Sequence, residues 1–218
     1  MQTARTTLKR QRDRGAYDAE TVHAILDEAL VCHLGFALDD QPFVIPTIHA
    51  RVNDVLYVHG AVANRALGAL RAGAPCCLTV TLVDGLVLAR SAFHHSMNYR
   101  SVVVLGQARE VTNVNEKQAA FAAFVEKTMR GRSAHCRPPN ETEIRTTQVL
   151  RLPLEEASAK VRQGPPIDDE ADYALPHWAG VVPLRLTAGT PEADARLPSE
   201  TPFPHDLARD LDGASPTG

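Results

Sequence analysis

The chain has 218 residues and a formal charge of −3, so no global positive field argues for nucleic acid. That length can bury one substantial core and still leave tails. No apolar run reaches the length of a membrane span, and no apolar segment follows the N-terminal charges, so the expectation is a soluble, cytoplasmic protein. The four cysteines (Cys32, Cys76, Cys77 and Cys136) form no CxxC pair. Neighbours Cys76 and Cys77 point to opposite faces of a strand and read as small core fillers.

Residues 1–15 carry Arg5, Lys9, Arg10, Arg12 and Arg14 and read as a flexible, solvated basic leader. Asp18 is suited to cap a helix over 19–31, where Val22, Ile25, Leu26, Ala29 and Leu30 share one face. Strands are expected over 33–38 and 42–51, joined by Asp39-Asp40-Gln41, and from Val55 to His59 after an Asn53-Asp54 turn. A short helix, Ala63 to Arg71, ends near Gly73. Residues 75–93 read as a hairpin in which Asp84-Gly85 is the two-residue turn, setting Thr81 opposite Leu88 and Thr79 opposite Arg90. A long strand, Tyr99 to Val111, is followed by an amphipathic helix, Asn115 to Arg130, and a last core strand over about 146–156. Trp178 to Leu184 is a short apolar return, and the composition beyond Leu186 predicts a disordered tail over 187–218. Six or more strands with antiparallel turns and two or three helices predict a mainly β protein with flanking helices. That is an α+β β-barrel rather than a βαβ sheet, in one domain over 16–186.

Four polar segments look more than structural. Between Tyr57 and Arg65 a strand ends at His59, Gly60 allows close backbone approach, and a helix opens at Asn64-Arg65, which together suit a phosphate. Pro46 removes a ladder donor and belongs at a sheet edge or bulge, which leaves backbone at Ile45 and Thr47 for the rim of a flat ring. From Ser91 to Gly106, two imidazoles, an amide, a phenol, a guanidinium and hydroxyls crowd the approach to a core strand, and buried polar groups of that density need partners. Alternation puts Arg100 and Ser101 on opposite faces, so one ligand meets both only across a bulge. Adjacent His94 and His95 complete no set of metal ligands, and no metal site is expected. Lys160 and Arg162 share a strand face that can hold a substrate anion, while Trp178, the single tryptophan, is either a barrel plug or a stacking wall.

In order and spacing these segments resemble the pyridoxamine 5'-phosphate oxidase-like split-barrel superfamily. The branch they look like holds the 5-nitroimidazole resistance and related flavin-nucleotide-binding proteins. The resemblance runs from about Arg14 to Leu184 and rests on Val44-Ile45-Pro46-Thr47, Leu56-Tyr57-Val58-His59-Gly60 with Arg65, Val83-Asp84-Gly85-Leu86, Asn98-Tyr99-Arg100-Ser101-Val102 with Gly106, Ser158 to Arg162, and Trp178-Ala179-Gly180. It implies an FMN-binding split barrel, six-stranded, antiparallel and of Greek-key type. It also implies a homodimer with one FMN in each of two clefts between subunits. By position, His59, Gly60, Asn64 and Arg65 match the phosphate turn, Ile45, Pro46 and Thr47 the strand along the ring, Arg100 and Ser101 the ring's polar edge, and Trp178 an aromatic near the flavin. The oxidases' Arg-Lys pair is replaced by Asn64-Arg65 and their C-terminal Arg-x-His clamp is missing, which speaks against vitamin B6 oxidation.

The function this implies is a flavin-dependent oxidoreductase that reduces a small electrophile, such as a nitro-aromatic or a quinone. From its own position, just before the strand bearing Arg100 and Ser101, His94 is the candidate to donate a proton to the acceptor or to orient it. The alternatives are a flavin carrier or sensor without turnover, FAD or a deazaflavin in place of FMN, and a haem-binding split barrel with His33, His49, His94 or His177 as axial ligand.

Overall fold

The structure, a computed structural model, describes residues 1–198 and 200–207; the rest of the tail expected to be disordered lies outside the described residues. In chain order the elements are β1 (Gly15–Ala16), α1 (Ala19–Glu28), β2 (Val31–Leu38), β3 (Gln41–Ile48), β4 (Ala50–Val52), β5 (Val55–Ala61), α2 (Arg65–Arg71), β6 (Pro75–Leu88), β7 (Ser96–Gln107), β8 (Arg109–Glu110), α3 (Val114–Thr128), α4 (Glu141–Thr146), β9 (Thr147–Pro153), β10 (Glu156–Arg162) and β11 (Gly180–Pro183). One sheet runs β1-β10-β7-β6-β2-β3 with β11 added beside β6, and a second runs β4-β5-β9-β8. All the pairings are antiparallel. No helix among the described residues is long and apolar enough to cross a membrane.

The chain passes between the sheets at two corners. The strand expected over 42–51 breaks at the fully buried His49, so β3 and β4 lie in different sheets. The strand expected over 99–111 breaks at the buried Ala108 in the same way. Two sheets joined by continuous but bent strands around one core make a split barrel. That core includes Leu26, Leu34, Leu56, Leu78, Val102, Val104, Leu150 and Leu152. A smaller cluster (Ala50, Tyr57, Val111, Ala120, Phe124, Val149) seats α3 on the outside of the four-stranded sheet.

Local signals account for most of the turns. Asp39 and Asp40, at φ 51° and 61°, form a two-residue turn that leaves Leu38 opposite Gln41. Asn53, at φ 52°, helps turn Val52 onto Val55. Asp18 caps α1 by accepting from the Thr21 N–H at 2.7 Å. The helix stops at Glu28, short of the expected residue 31, because β2 begins at Val31 and carries Cys32 into the core.

The hairpin at Asp84-Gly85 does not form. β6 runs unbroken from Pro75 to Leu88, Thr81 faces Ser101, and Thr79 faces Val103. The register slips between Val83 and Gly85, so Asp84 bulges from the ladder. Gly85 serves close packing: a Cβ there would fall 3.0 Å from Val181 Cγ1 on β11. Pairing with β7 on one side and β11 on the other outweighs the local turn preference. The real connection is 89–95, where Ser91 caps a single 3-10 turn.

The last core strand also divides, into β9 and β10. The basic leader lies against the sheet: the Met1 carbonyl accepts from the Ala157 N–H at 3.0 Å, Thr6 is buried, and Arg5 pairs with Glu156. Near the C-terminus Leu207 is buried, and the His135 imidazole lies 2.7 Å from the Asp206 carboxylate.

Candidate functional site

A cleft of about 250 Å³ opens where β2 and β3 meet the start of α2. Phe36, Leu38, Phe43 and Ile45 form its apolar wall, and Asn64, Arg65 and Ala66 its polar end. Phe36 and Phe43 are cross-strand partners whose rings stack with centroids 5.6 Å apart. β3 is the last strand of its sheet, so the backbone groups along its outer edge have no sheet partner. Pro46 sits on this edge strand, as a missing ladder donor requires.

Asn64 and Arg65 divide the work at the start of α2. Asn64 Oδ1 accepts from the N–H groups of Ala66 at 2.9 Å and Leu67 at 3.3 Å, so those helix donors are already used. Arg65 is exposed, lines the cleft and has no carboxylate partner among the described residues. Of the expected phosphate seat, the Arg65 guanidinium is the part left for an anion.

Gly60 and His59 point to opposite sides of β5, so the structure does not bring both to the cleft. A Cβ on Gly60 would fall 2.9 Å from Leu67 Cδ1, so glycine here lets Leu67 of α2 pack close against β5. His59 faces α3, its ring centroid 4.2 Å from that of Phe124; its Nδ1 is buried without a partner, and burial pushes its pKa down. Gly60→Val should cost about 1–3 kcal/mol by overpacking against Leu67 and displace α2 with Arg65. A chemical denaturation curve unchanged from wild type would show that α2 does not depend on that contact.

The remaining expected residues stand elsewhere. Arg100 is held by Glu28 and Asp84 (Nε to Asp84 Oδ2 2.9 Å, Nη2 to Glu28 Oε1 2.7 Å), and both partners hold it in the charged form. It fastens α1 and the β6 bulge to β7 and does not reach the cleft. Ser101 Oγ donates to the Lys160 carbonyl at 3.4 Å, between Thr81 and Lys160 on the outer face of the sheet. Arg162 is buried and pairs with Asn98 and the carbonyls of Gly164 and Pro165, so it pins a loop instead of facing a substrate anion. Thr47 lies opposite Cys32, on the same face as Ile45.

His94 Nε2 is 3.4 Å from Asp169 Oδ2, in the 89–95 connection rather than at this cleft. Trp178 is 68% exposed and its ring shields Gly180, so it is not a barrel plug. His49 is closed into the core with Nε2 2.9 Å from the Leu26 carbonyl, which rules it out as an accessible axial ligand. His33 is exposed on the outer face, between Pro46 and Thr79.

Sequence reasoning did not find the Phe36–Phe43 wall, whose signal was the tight turn placing the two rings opposite. It also missed Asp168, whose carboxylate accepts from the Arg90 and Ser91 N–H groups and from Arg90 Nη1 at 3.0 Å.

Two sheets linked at bent strands, with an edge-strand cleft closed by a short helix, define a split-barrel protein. The family model described as pyridoxamine 5'-phosphate oxidase matches residues 18–161, and the chain belongs to that family. Among solved structures it is similar to the flavocytochrome Anf3 from Azotobacter vinelandii, at 43% identity over 95% of this chain and 96% of that one, with a TM-score of 0.88. It is also similar to the FAD and haem binding protein from Mycobacterium smegmatis, at 31% identity over 91% and 97% of the two chains, TM-score 0.86. A structure described as a 5-nitroimidazole antibiotic resistance protein from Bacteroides thetaiotaomicron shares the fold at 22% identity, over 67% and 86% of the chains, TM-score 0.58. No curated protein matches the chain.

Proposed function

We propose that the chain is a flavin-dependent oxidoreductase that seats its flavin in the cleft between β2, β3 and α2. The observation carrying this is the uncommitted Arg65 at one end of a wall made by Phe36, Phe43 and Ile45. An aromatic body ending in a phosphate fits that order of groups. When bound, a flavin supplies two-electron transfer from a reduced donor to a small electrophile, such as a nitro-aromatic or a quinone. The chain's own part is to shelter the ring from water, meet its polar rim with the outer edge of β3, and hold the phosphate with Arg65. FAD is favoured over FMN, since the relative from Mycobacterium smegmatis that matches nearly end to end is described as binding FAD.

A second reading adds haem, on the strength of the two full-length relatives described as a flavocytochrome and as an FAD and haem binding protein. Of the four histidines considered as axial ligands, His49 is closed off and His94 half-buried, which leaves His33 and His177 as the exposed ones.

A two-fold dimer is part of the proposal. A cleft of about 250 Å³ is smaller than the roughly 300–1,000 Å³ of sites that enclose a whole ligand, so one chain supplies only part of a seat. The outer face of the large sheet leaves Val31 51%, Val44 67% and Val83 43% exposed, as a face covered by a second copy would. Sedimentation should give a dimer, and added FAD should raise its melting temperature. A monomer that binds flavin stoichiometrically would sink the shared cleft. The visible spectrum of the purified protein, with mass spectrometry of the released cofactor, tests the reading itself. Absence of any flavin after reconstitution defeats it; bound flavin without NADH- or NADPH-driven reduction of nitro-aromatics or quinones leaves a carrier or sensor.

A further inference from the structure

Arg109 and Arg151 stand directly opposite each other on the β8–β9 ladder. Like charges in that position destabilise an antiparallel pair. Arg151 is offset by Glu116 at 3.4 Å, but Glu116 also accepts a hydrogen bond from the Tyr57 hydroxyl at 2.9 Å. Arg109 has no carboxylate within ion-pair distance among the described residues, and its neighbour Glu110 turns instead toward Arg71, 3.8 Å away. Both arginines line a polar cleft of about 590 Å³ that also receives Arg5 from the N-terminal leader. Of the two glutamates in its walls, Glu156 is engaged by Arg5, which leaves Glu155 as the one free carboxylate among the described residues there.

We propose that this cleft binds a phosphate-bearing anion. Three guanidinium groups from three separate parts of the chain line it, and two of them, Arg109 and Arg151, are like-charged cross-strand neighbours. A dianion placed between Arg109 and Arg151 takes a charge-assisted hydrogen bond from each and turns the repulsion into two attractions. Phosphate suits this better than a simple carboxylate, because it carries more charge and offers oxygens to both forks at once. The site is separate from the flavin cleft, with which it shares no lining residue, and does not depend on the flavin reading.

The test is calorimetric titration of inorganic pyrophosphate into the purified protein at fixed ionic strength, with melting temperature and flavin absorbance followed in parallel. Wild type should bind saturably. Arg109→Gln should weaken binding at least tenfold and melt no lower than wild type without ligand, because the repulsion is gone. Arg109→Glu, which sets an acid opposite Arg151, should melt higher than wild type and bind no pyrophosphate. Arg145→Gln, which removes an exposed guanidinium lining neither cleft, should bind as wild type does. The proposal is overturned if pyrophosphate does no more than chloride at matched ionic strength. It is equally overturned if Arg109→Gln binds normally, or if Arg145→Gln weakens binding as much as Arg109→Gln does. A response in ADP tighter than in pyrophosphate would mark the anion as part of a nucleotide, and an equal one as the free ion.

Discussion

Replacing Arg65 by alanine should weaken flavin binding about tenfold to a hundredfold while the ligand-free fold survives. Arg65 is the first residue of α2, exposed and without an acidic partner among the described residues, so its loss breaks no contact that holds the ligand-free protein. Alanine is at least as good a helix former at that position. In the complex the guanidinium donates charge-assisted hydrogen bonds to phosphate, worth roughly 1.5–3 kcal/mol. Asn64 behaves differently: its carbonyl oxygen caps the helix, so Asn64→Ala should cost stability of about 1 kcal/mol before any ligand is added. Flavin fluorescence titration alongside thermal melting separates the two variants. An Arg65→Ala protein with wild-type affinity would place the phosphate elsewhere.

The fold was legible wherever the controlling signal was local. Asp39-Asp40, Asn53 and the Asp18 cap set their turns and helix start through backbone preferences that neighbouring residues alone decide. Asp84-Gly85 carries an equally strong local signal and was misread. Its outcome depends on β7 and β11, which lie far along the chain and offer ladder partners to both sides of β6. The corners at His49 and Ala108 were invisible for a related reason: a strand that bends from one sheet to another keeps its alternation on both sides of the bend.

The candidate site was legible in part. Ile45, Asn64 and Arg65 do meet at one cleft. Alternation along β7 already implied that Arg100 and Ser101 face opposite ways, and the structure answers with Arg100 turned to Glu28 and Asp84 and Ser101 turned outward. What sequence could not show is which polar residue already has a partner. Arg100, within β7, and Arg65, at the start of α2, are the same residue type. Glu28 and Asp84 occupy the first, and the second is left uncommitted.

Acid should loosen the protein through His49, the other large effect. Its side chain is fully buried at the corner between β3 and β4, with Nε2 2.9 Å from the Leu26 carbonyl and Nδ1 without a partner. Lys127 donates to the same carbonyl at 2.7 Å, so a second positive charge would sit beside it. Burial, with that lysine adding to it, pushes the His49 pKa from 6.5 down to about 4. Between those two values the unfolded chain takes up a proton that the folded chain refuses, so stability falls as pH falls. The contribution is fully present above about pH 6.5 and is lost progressively toward pH 4, amounting to roughly 3 kcal/mol across the window. His49→Gln removes the titrating group but keeps an amide that can still donate to Leu26. That variant should be less stable than wild type at pH 7, yet lose much less on going to pH 4.5. Urea unfolding at the two pH values measures the difference directly. Parallel losses in both proteins would remove His49 as the cause, and burial of His59 behind Phe124 would be the next group to test.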